Sequence, residues 1–182
     1  TDYTGANSLT ITSGNSTGVT AITGVADTLY DAASAETIIA DISSLSAGSE
    51  GSTSQQTISI TDAQAAPTIT LNTSTNTLAE NGGSSTVTAT LSHATYETVT
   101  VDLSYSGTAT SGSDYTTPSA AITIAAGNTS ADASTGLSSI DDADGEGDET
   151  IILAVSAVNG GGATESGSQQ QTVTIFDDED TA

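Results

Sequence analysis

Residues 138–153 read SSIDDADGEGDETIIL, and they place six carboxylates between Asp141 and Glu149, directly ahead of an apolar, strand-like segment. The chain contains no lysine and no arginine, so no basic side chain stands beside them. Like charges at this density repel one another and oppose folding. A folded chain that keeps these carboxylates next to a strand has to neutralise them, and we expect bound cations to do so.

The bulk composition excludes several classes of protein. The formal net charge is -23 over 182 residues, which leaves nothing to neutralise the phosphates of a nucleic acid or to bind an anionic membrane surface. No stretch approaches the roughly 18 apolar residues of a membrane-spanning helix, so we expect no membrane insertion. The abundance of Thr, Ser, Ala and Gly is typical of a secreted, repetitive protein, and it predicts an extracellular or cell-surface location. No signal peptide is visible at TDYTGANSLT, and we expect any such segment to have been removed or left out.

Apolar residues are scarce. Leu, Ile, Val and Phe together make up 32 of the 182 residues, which is below the roughly 20% at which a highly charged chain is suspected of disorder. Burial of apolar surface alone is therefore a weak basis for the fold, and the sequence again indicates a stabilising cation.

The chain repeats itself once, at a period of between 112 and 115 residues. Three pairs of segments match in the same order, and a period of this length is that of a whole domain. The matching pairs are 2–17 with 114–130, 36–45 with 149–158, and 55–64 with 170–179.

The repeat is incomplete, because residues 67–113 have no counterpart ahead of Asp2. We therefore predict two domains. Residues 1–66 form the back half of a degenerate module that is incomplete alone, and residues 67–182 form a complete module. The partial module lacks about three strands, and we expect polypeptide from outside residues 1–182 to supply them.

Alternation of apolar residues with Thr or Ser predicts strands throughout. Glycine and asparagine clusters separate these strands as turns, and about seven strands in roughly 113 residues favour an antiparallel, immunoglobulin-like β-sandwich in an all-β protein. Residues 29–45 also fit a helical spacing; we predict a strand from Glu36 because its repeat partner alternates more clearly. The clearest segments are TITL at 68–71, STVTATL at 85–91, VTVDLSY at 99–105, AITIA at 121–125 and QTVTIF at 171–176.

Calcium suits the acidic residues best. A second acidic cluster, Asp177 to Asp180, ends the module, and loops at alternate strand ends of a sandwich meet at one pole. Ca²⁺ takes six to eight oxygen ligands, whereas a chain with no cysteine and one histidine supplies a zinc or copper site poorly. An EF-hand beginning at Asp142 is rejected, because its twelfth position is Leu153 rather than glutamate.

The second module resembles the Calx-beta domain, a family of calcium-binding, immunoglobulin-like sandwiches. The resemblance covers essentially all of residues 67–180. It is carried by LAENGGSSTVTATLS, GTATSGSDYT, ITIAAGNTS, IDDADGEGDETIIL and TVTIFDDED, in that order.

The resemblance implies calcium at one pole of the sandwich, near the junction with the next domain. Glu149 is implied as a ligand or as a supporting partner of one, and Asp144 as the donor of a backbone carbonyl. The other implied ligands are Glu80, Asp114, Asp141, Asp142, Glu146, Asp177, Asp178 and Glu179.

The first half-module departs from this pattern, because VADTLYDAASAE stands where the second module has IDDADGEGDE. Only Asp2, Asp31, Glu36 and Asp62 remain as candidate ligands there. We expect one weakly bound ion in that half-module or none.

Catalysis has little support in the sequence. His93 is the only imidazole, and we interpret it as an exposed turn residue. A serine triad would depend on His93, and no GxSxG motif is present. A glycosidase needs a carboxylic acid with a raised pKa and aromatic sugar platforms, but the chain has five Tyr and no Trp. We predict that it is not an enzyme.

The sequence favours a structural role, in which calcium stiffens the modules of an extracellular adhesin or matrix filament and the joints between them. One alternative is a filament subunit that polymerises by strand complementation between subunits. Another is an adhesion module that binds a carbohydrate or other ligand. The expected partners are neighbouring modules of the same precursor or adjacent subunits, besides any unknown extracellular ligand.

Overall fold

Every regular element in the described part of the chain is a β-strand. The computed structural model describes residues 2–32, 36–52 and 55–178. No helix among them has the length and apolar character needed to cross a membrane. The strands are β1 (Tyr3–Gly5), β2 (Ile22–Gly24), β3 (Glu36–Ala40), β4 (Gln56–Ile60), β5 (Thr68–Thr73), β6 (Thr77–Ala79), β7 (Ser84–Ser85), β8 (Val87–Leu91), β9 (Val99–Gly107), β10 (Ala121–Ile124), β11 (Ser130–Asp132), β12 (Leu137–Ser138), β13 (Glu149–Asn159), β14 (Thr164–Glu165) and β15 (Gln170–Phe176).

The chain divides into two compact units. Unit 1 comprises Thr1–Thr28 and Ala33–Gln64, and unit 2 comprises Leu29–Ala32 and Ala65–Ala182. Unit 2 therefore contains the whole of the second repeat together with a short segment from the first.

Unit 2 is a sandwich of two main sheets. One has the strand order β10-β9-β13-β15-β6 and the other the order β11-β8-β5-β14. The long pairings are antiparallel, as predicted, while the short edge pairings of β14 with β5 and of β15 with β6 are parallel. β7 and β12 form a further two-stranded pair. Unit 2 thus has more strands than the roughly seven predicted, because several of them are only two or three residues long.

All five segments predicted from alternation lie in strands. The one at residues 85–91 is interrupted at Thr86, whose N–H donates to Ser74 Oγ over 2.9 Å. Alternation places one face of each strand inward: along β8, Val87, Ala89 and Leu91 are buried and the two threonines between them are half-buried. The inward residues of both sheets form one core, which includes Ile69, Leu71, Val99, Val101, Ile122, Ile124, Ile151, Leu153 and Val173.

Unit 1 contains two hairpin-like pairs, β1 with β2 and β3 with β4. The strand predicted from Glu36 is confirmed as β3. Its pairing reproduces that of the second repeat: Glu36 lies opposite Ile60 in unit 1, and Glu149 lies opposite Ile175 in unit 2. The repeat seen in the sequence is therefore also a repeat of strand register.

A short segment around Tyr30 pairs with the β8–β9 turn of unit 2. The Tyr30 N–H donates to the Ala94 carbonyl over 2.9 Å, and the Tyr96 N–H donates to the Tyr30 carbonyl over 3.0 Å. Thr95, which lies between these two partners, is 1% exposed.

His93 lies in the same turn, but it is half-buried rather than exposed as expected. Its Nε2 is 2.5 Å from the Ala65 carbonyl oxygen, and its ring meets the Tyr30 ring edge-on with centroids 6.3 Å apart. Packing of the Tyr30 segment and the chain around Ala65 against this turn accounts for the difference.

Gly162 leaves room for Tyr30. A Cβ built on Gly162 would lie 2.8 Å from Tyr30 Cε1, whereas one built on Gly167 would meet nothing within 4 Å. Both glycines have a positive φ, +59° and +69°, so alanine at either site carries a comparable left-handed backbone cost of about 1–2 kcal/mol.

We predict that Gly162→Ala lowers the free energy of unfolding of unit 2 by about 1 kcal/mol more than Gly167→Ala does, because only the former crowds the Tyr30 ring. Chemical denaturation of the full chain measures the difference. In a Tyr30→Ala background the two substitutions should cost the same. An unchanged difference in that background would show that the Tyr30 ring is not its cause.

Candidate metal centre

Hydrogen bonds draw four loops of unit 2 together at one pole of the sandwich. The loop ahead of β13 is tied to the end of β15, because the Gly147 N–H donates to Asp177 Oδ2 over 2.5 Å. The turn after β6 is tied to the same end, because Asn81 Nδ2 donates to Asp178 Oδ2 over 2.7 Å. The loop after β9 joins them where the Ile140 N–H donates to the Asp114 carbonyl over 2.9 Å. The convergence predicted for the two acidic clusters is thus present among the described residues.

Asp114 is held in a tight turn and is 7% exposed. Its N–H donates to the Thr110 carbonyl over 3.0 Å, and its Oδ2 accepts the Thr110 N–H in return. These reciprocal bonds fix the carboxylate relative to the backbone. A buried, fixed carboxylate of this kind is costly without a compensating positive charge.

The acidic loop presents two further carboxylates beside Asp114. Asp142 Oδ1 accepts the Asp144 N–H over 2.8 Å, which turns the loop locally. Carboxylate oxygens of Asp114, Asp142 and Glu146 all lie within 4.8 Å of one another. Because Asp142 and Glu146 are exposed and Asp114 is buried, the group opens toward solvent from a fixed base.

Mutual repulsion in this group shifts the pKa of Glu146. The charge of Asp114 is the largest cause that raises it; partial desolvation follows, and then the charge of Asp142. The charges of Asp144 and Asp177 act in the same direction. The carboxylates of the whole pole therefore contribute to the raised pKa of Glu146.

The pKa of Glu149 lies far above that of an ordinary glutamate. Burial raises its pKa to about 7, and a hydrogen bond to Asp114 adds to the effect. The charges of Asp114, Glu146 and Glu80 raise the pKa further. A carboxyl that titrates near neutral pH in the absence of a cation is one that a bound cation would deprotonate.

Glu80 lies at the start of the turn that follows β6 and is 6% exposed. Its N–H donates to the Phe176 carbonyl over 3.0 Å, which places it beside the end of β15. Gly83 closes the turn, because a Cβ there would lie 2.6 Å from the Ala79 carbonyl oxygen. The AENGG segment therefore needs its glycine to bring Glu80 to the pole.

Of the ten residues proposed as ligands from the resemblance, only three form the close group. Glu149 interacts electrostatically with Asp114 and Glu146 of this group and with Glu80, and Asp177 and Asp178 bind neighbouring loops by hydrogen bonds. Asp141 and Asp144 are exposed in the same loop as Asp142. Glu179 lies outside the described residues.

Two supporting residues were missed from the sequence. Asn81 anchors Asp178, and Ser139 Oγ donates to the carbonyls of Ala79 and Gly83, over 2.8 and 3.0 Å. Asn81 had a usable signal, since it directly follows Glu80 in the segment AENGG. Ser139 had none, because it is one serine in a serine-rich chain.

The donor set fits a hard divalent cation. All donors are carboxylate oxygens, as Ca²⁺ requires, and no imidazole or thiolate takes part. Within residues 2–32, 36–52 and 55–178, this is the one group of three or more candidate ligands close enough to share an ion. In that part of the chain, the first repeat's Asp2, Asp31, Glu36 and Asp62 form no such group.

Comparison with protein-family models supports the resemblance drawn from the sequence. The model of the Calx-beta domain matches residues 62–179. A search of curated protein sequences finds no match.

Solved structures share the fold. A structure described as the apo form of the Calx CBD1 domain has a TM-score of 0.51 and 22% sequence identity; the match covers 62% of this chain and 99% of that one. A structure of CBD12 from CALX1.2 has a TM-score of 0.51 and 21% identity, covering 60% of this chain and 44% of that one. The match thus spans less than half of the CBD12 chain. The predicted all-β sandwich is confirmed.

We predict that calcium and protons compete at Glu149. In chelator the folded state holds a proton on Glu149 up to about pH 7, whereas an ordinary glutamate loses it near 4.5. The contribution of this group to stability is therefore present at low pH and lost as pH rises through about 7. Calcium restores stability where Glu149 is charged. The calcium-induced rise in melting temperature should be larger at pH 8 than at pH 5.5.

Calorimetric melting with and without calcium at the two pH values measures this effect. Glu149→Gln, which cannot be charged, should remove most of the pH dependence. A calcium-induced rise that is equal at both pH values in the unaltered chain would contradict the assignment.

Proposed function

Because the chain belongs to the Calx-beta family, we propose that its second repeat binds Ca²⁺ at the pole formed by Asp114, Asp142 and Glu146. We further propose that the bound ion makes the chain a stiff structural segment of an extracellular adhesin or matrix filament. Calx-beta domains are calcium-binding regulatory modules and not enzymes. The expectation that this chain is not an enzyme is thereby confirmed.

The observation that carries the proposal is the close approach of these three carboxylates in a chain without lysine or arginine. Their oxygens lie within 4.8 Å of one another, and the chain offers no basic side chain to separate them. A divalent cation is the counter-charge that this donor set fits. The charges of Asp114, Glu146 and Glu80 raise the pKa of Glu149, and we propose Glu149 and Glu80 as further ligands or supporting residues.

The ion would act by joining separate loops. Asp114 belongs to the loop after β9, whereas Asp142 and Glu146 belong to the loop ahead of β13. β9 and β13 are neighbours in the five-stranded sheet, so an ion held by both loops closes one end of that pair. The hydrogen bonds of Asp177 and Asp178 extend the connection to the end of β15 and to the turn after β6. Calcium would thus hold the pole as one rigid body.

The extracellular role rests on composition and on the family. Calx-beta domains occur in extracellular or membrane-associated proteins. This chain adds abundant Thr, Ser, Ala and Gly and an internal repeat of module length. Repeated modules joined at stiffened ends suit a filament or adhesin that has to project from a surface.

Calcium should raise the thermal stability of unit 2 strongly. An ion present at about 1,000 times its dissociation constant stabilises the folded state by about 4 kcal/mol. One kcal/mol shifts the melting temperature of a domain of this size by roughly 3–6 °C, between the values for smaller and larger domains. We predict that melting in millimolar calcium occurs well over ten degrees above melting in chelator. Superimposable calorimetric traces under the two conditions would refute calcium-dependent folding.

The binding should depend on Asp114 and Asp142 individually. Each changed to Asn keeps its shape but loses a charged ligand, and we predict that titration calorimetry then shows at least a tenfold loss of calcium affinity. Asp148→Asn is the matched control, because it removes the same charge from the same loop without belonging to the close group. Substitutions at Asp2 and Asp62 should change little. Equal losses at Asp148 and Asp142 would indicate a diffuse electrostatic effect rather than a site.

A further inference from the structure

Unit 1 contains the sequence counterparts of the two strands that flank β9 in unit 2. In unit 2, β9 lies between β10 and β13. The counterpart of β13 in unit 1 is β3, and the structure pairs β3 with β4 alone within the described residues. The edge of β3 that corresponds to the β9 side of β13 is therefore open.

The counterpart of β10 is also present but forms no strand. Leu9 and Ile11 stand 113 residues ahead of Ile122 and Ile124 in the repeat. The turn that follows is the same in both units: the Asn15 N–H donates to the Thr12 carbonyl, and the Asn128 N–H to the Ala125 carbonyl, each over 3.0 Å. The local sequence thus already forms the β10-type turn, while residues 8–12 lie outside regular structure.

Leu9, Ile11 and Ile58 are much more exposed than their counterparts in unit 2. Leu9 and Ile11 are 52% and 55% exposed, whereas Ile122 and Ile124 are 1% and 0% exposed. On the hairpin itself, Ile58 is 40% exposed and its counterpart Val173 is 0% exposed. Ile38, which lies opposite Ile58, is 8% exposed and its counterpart Ile151 is 0% exposed, so cover is missing over Leu9, Ile11 and Ile58 but not over Ile38.

A cavity of about 260 Å³ lies between residues 8–9 and the C-terminal end of β3. It is lined on one side by Ser8 and Leu9 and on the other by Ala40, Asp41 and Ile42. These two sides correspond to the strands that flank β9 in unit 2. Thr20 and Gln56, the first residue of β4, also line the cavity, so it extends from the expected position of a β9-type strand to the end of the β3–β4 pair.

We propose that unit 1 accepts an extended strand of the β9 type, from the front half of a Calx-beta module, between residues 8–12 and β3. The strand runs antiparallel to β3, as β9 does to β13. It carries the alternation of residues 99–105, so that its apolar side chains lie over the same face as Leu9 and Ile58. Residues 8–12 become a strand when it binds.

The register of the complete repeat specifies the contacts. Ile152 lies opposite Ser106 and Leu153 lies opposite Tyr105, so Ile39 should lie opposite the residue equivalent to Ser106. On the other side Thr123 lies opposite Thr100, so Thr10 should lie opposite the equivalent of Thr100. This interaction adds main-chain pairing at an open sheet edge, and it does not depend on calcium.

The test adds a copy of the front half of the module to the full chain. A second copy of residues 67–113 is placed directly before Asp2, which restores the order seen around Asp114. Ile39→Cys is combined with Ser106→Cys in the copied segment, and because the chain has no native cysteine only this pair can react. A short thiol cross-linker should join the two within one molecule. Amide hydrogen exchange at Leu9–Ile11 and Ile38–Ala40 should slow at least tenfold relative to the unextended chain.

Three controls decide the outcome. Moving the copied thiol to Tyr105 turns it to the opposite face, and the cross-link yield should fall at least fivefold. Val101→Asp in the copied segment alone should abolish the protection, while the melting transition of unit 2 reports that the chain still folds. Equal yields at positions 105 and 106, or unchanged exchange in the extended chain, would overturn the proposal. Cross-linked dimers of the unextended Ile39→Cys chain would also overturn it, because they would show that β3 pairs with a second β3.

Discussion

Repulsion among carboxylates at one pole of the sandwich is the constraint on which the rest of the second repeat depends. Asp114 is buried there, and its charge is the largest cause that raises the pKa of Glu146. No lysine or arginine exists to relieve it. The strands are short and apolar residues are few, so an unneutralised pole would act against a modest core. A cation at this place would turn this repulsion into a connection that holds the four loops together.

The two repeats differ in how much of this arrangement the described residues contain. The second has its front strands, its acidic loop and a closed core. The first keeps the register of the β13–β15 pair in β3 and β4, but it has another sequence in place of the acidic loop, and within the described residues no strand pairs with the second edge of β3. Nearly all of the large apolar side chains that remain exposed in the described chain, including Val19 at 94%, belong to the first repeat. Local sequence thus preserves pairing and turns, while burial requires strands distant along the chain.

Much of this was predictable from the sequence, for identifiable reasons. Alternation of apolar with polar residues predicted the strands of unit 2, because successive side chains of a half-buried strand point to opposite faces of the sheet. The two acidic runs predicted an acidic pole, because loops at alternate strand ends of a sandwich meet, and the resemblance to Calx-beta domains added Glu80 of AENGG to it. The burial of His93 was not predictable, since it depends on Tyr30, more than sixty positions away. The separation of Asp114, Asp142 and Glu146 from the other proposed ligands required coordinates, since one loop can point adjacent carboxylates in different directions.

The central claim is that a divalent cation lies among Asp114, Asp142 and Glu146. The most direct measurement is anomalous X-ray diffraction from crystals of the full chain grown in calcium and then exchanged into terbium, which binds similar oxygen ligands and scatters anomalously. The account predicts a strong anomalous peak within coordination distance of these three carboxylates, and no peak there in crystals of Asp114→Asn. A map with no peak at this pole, or with its strongest peak elsewhere on the chain, would contradict it.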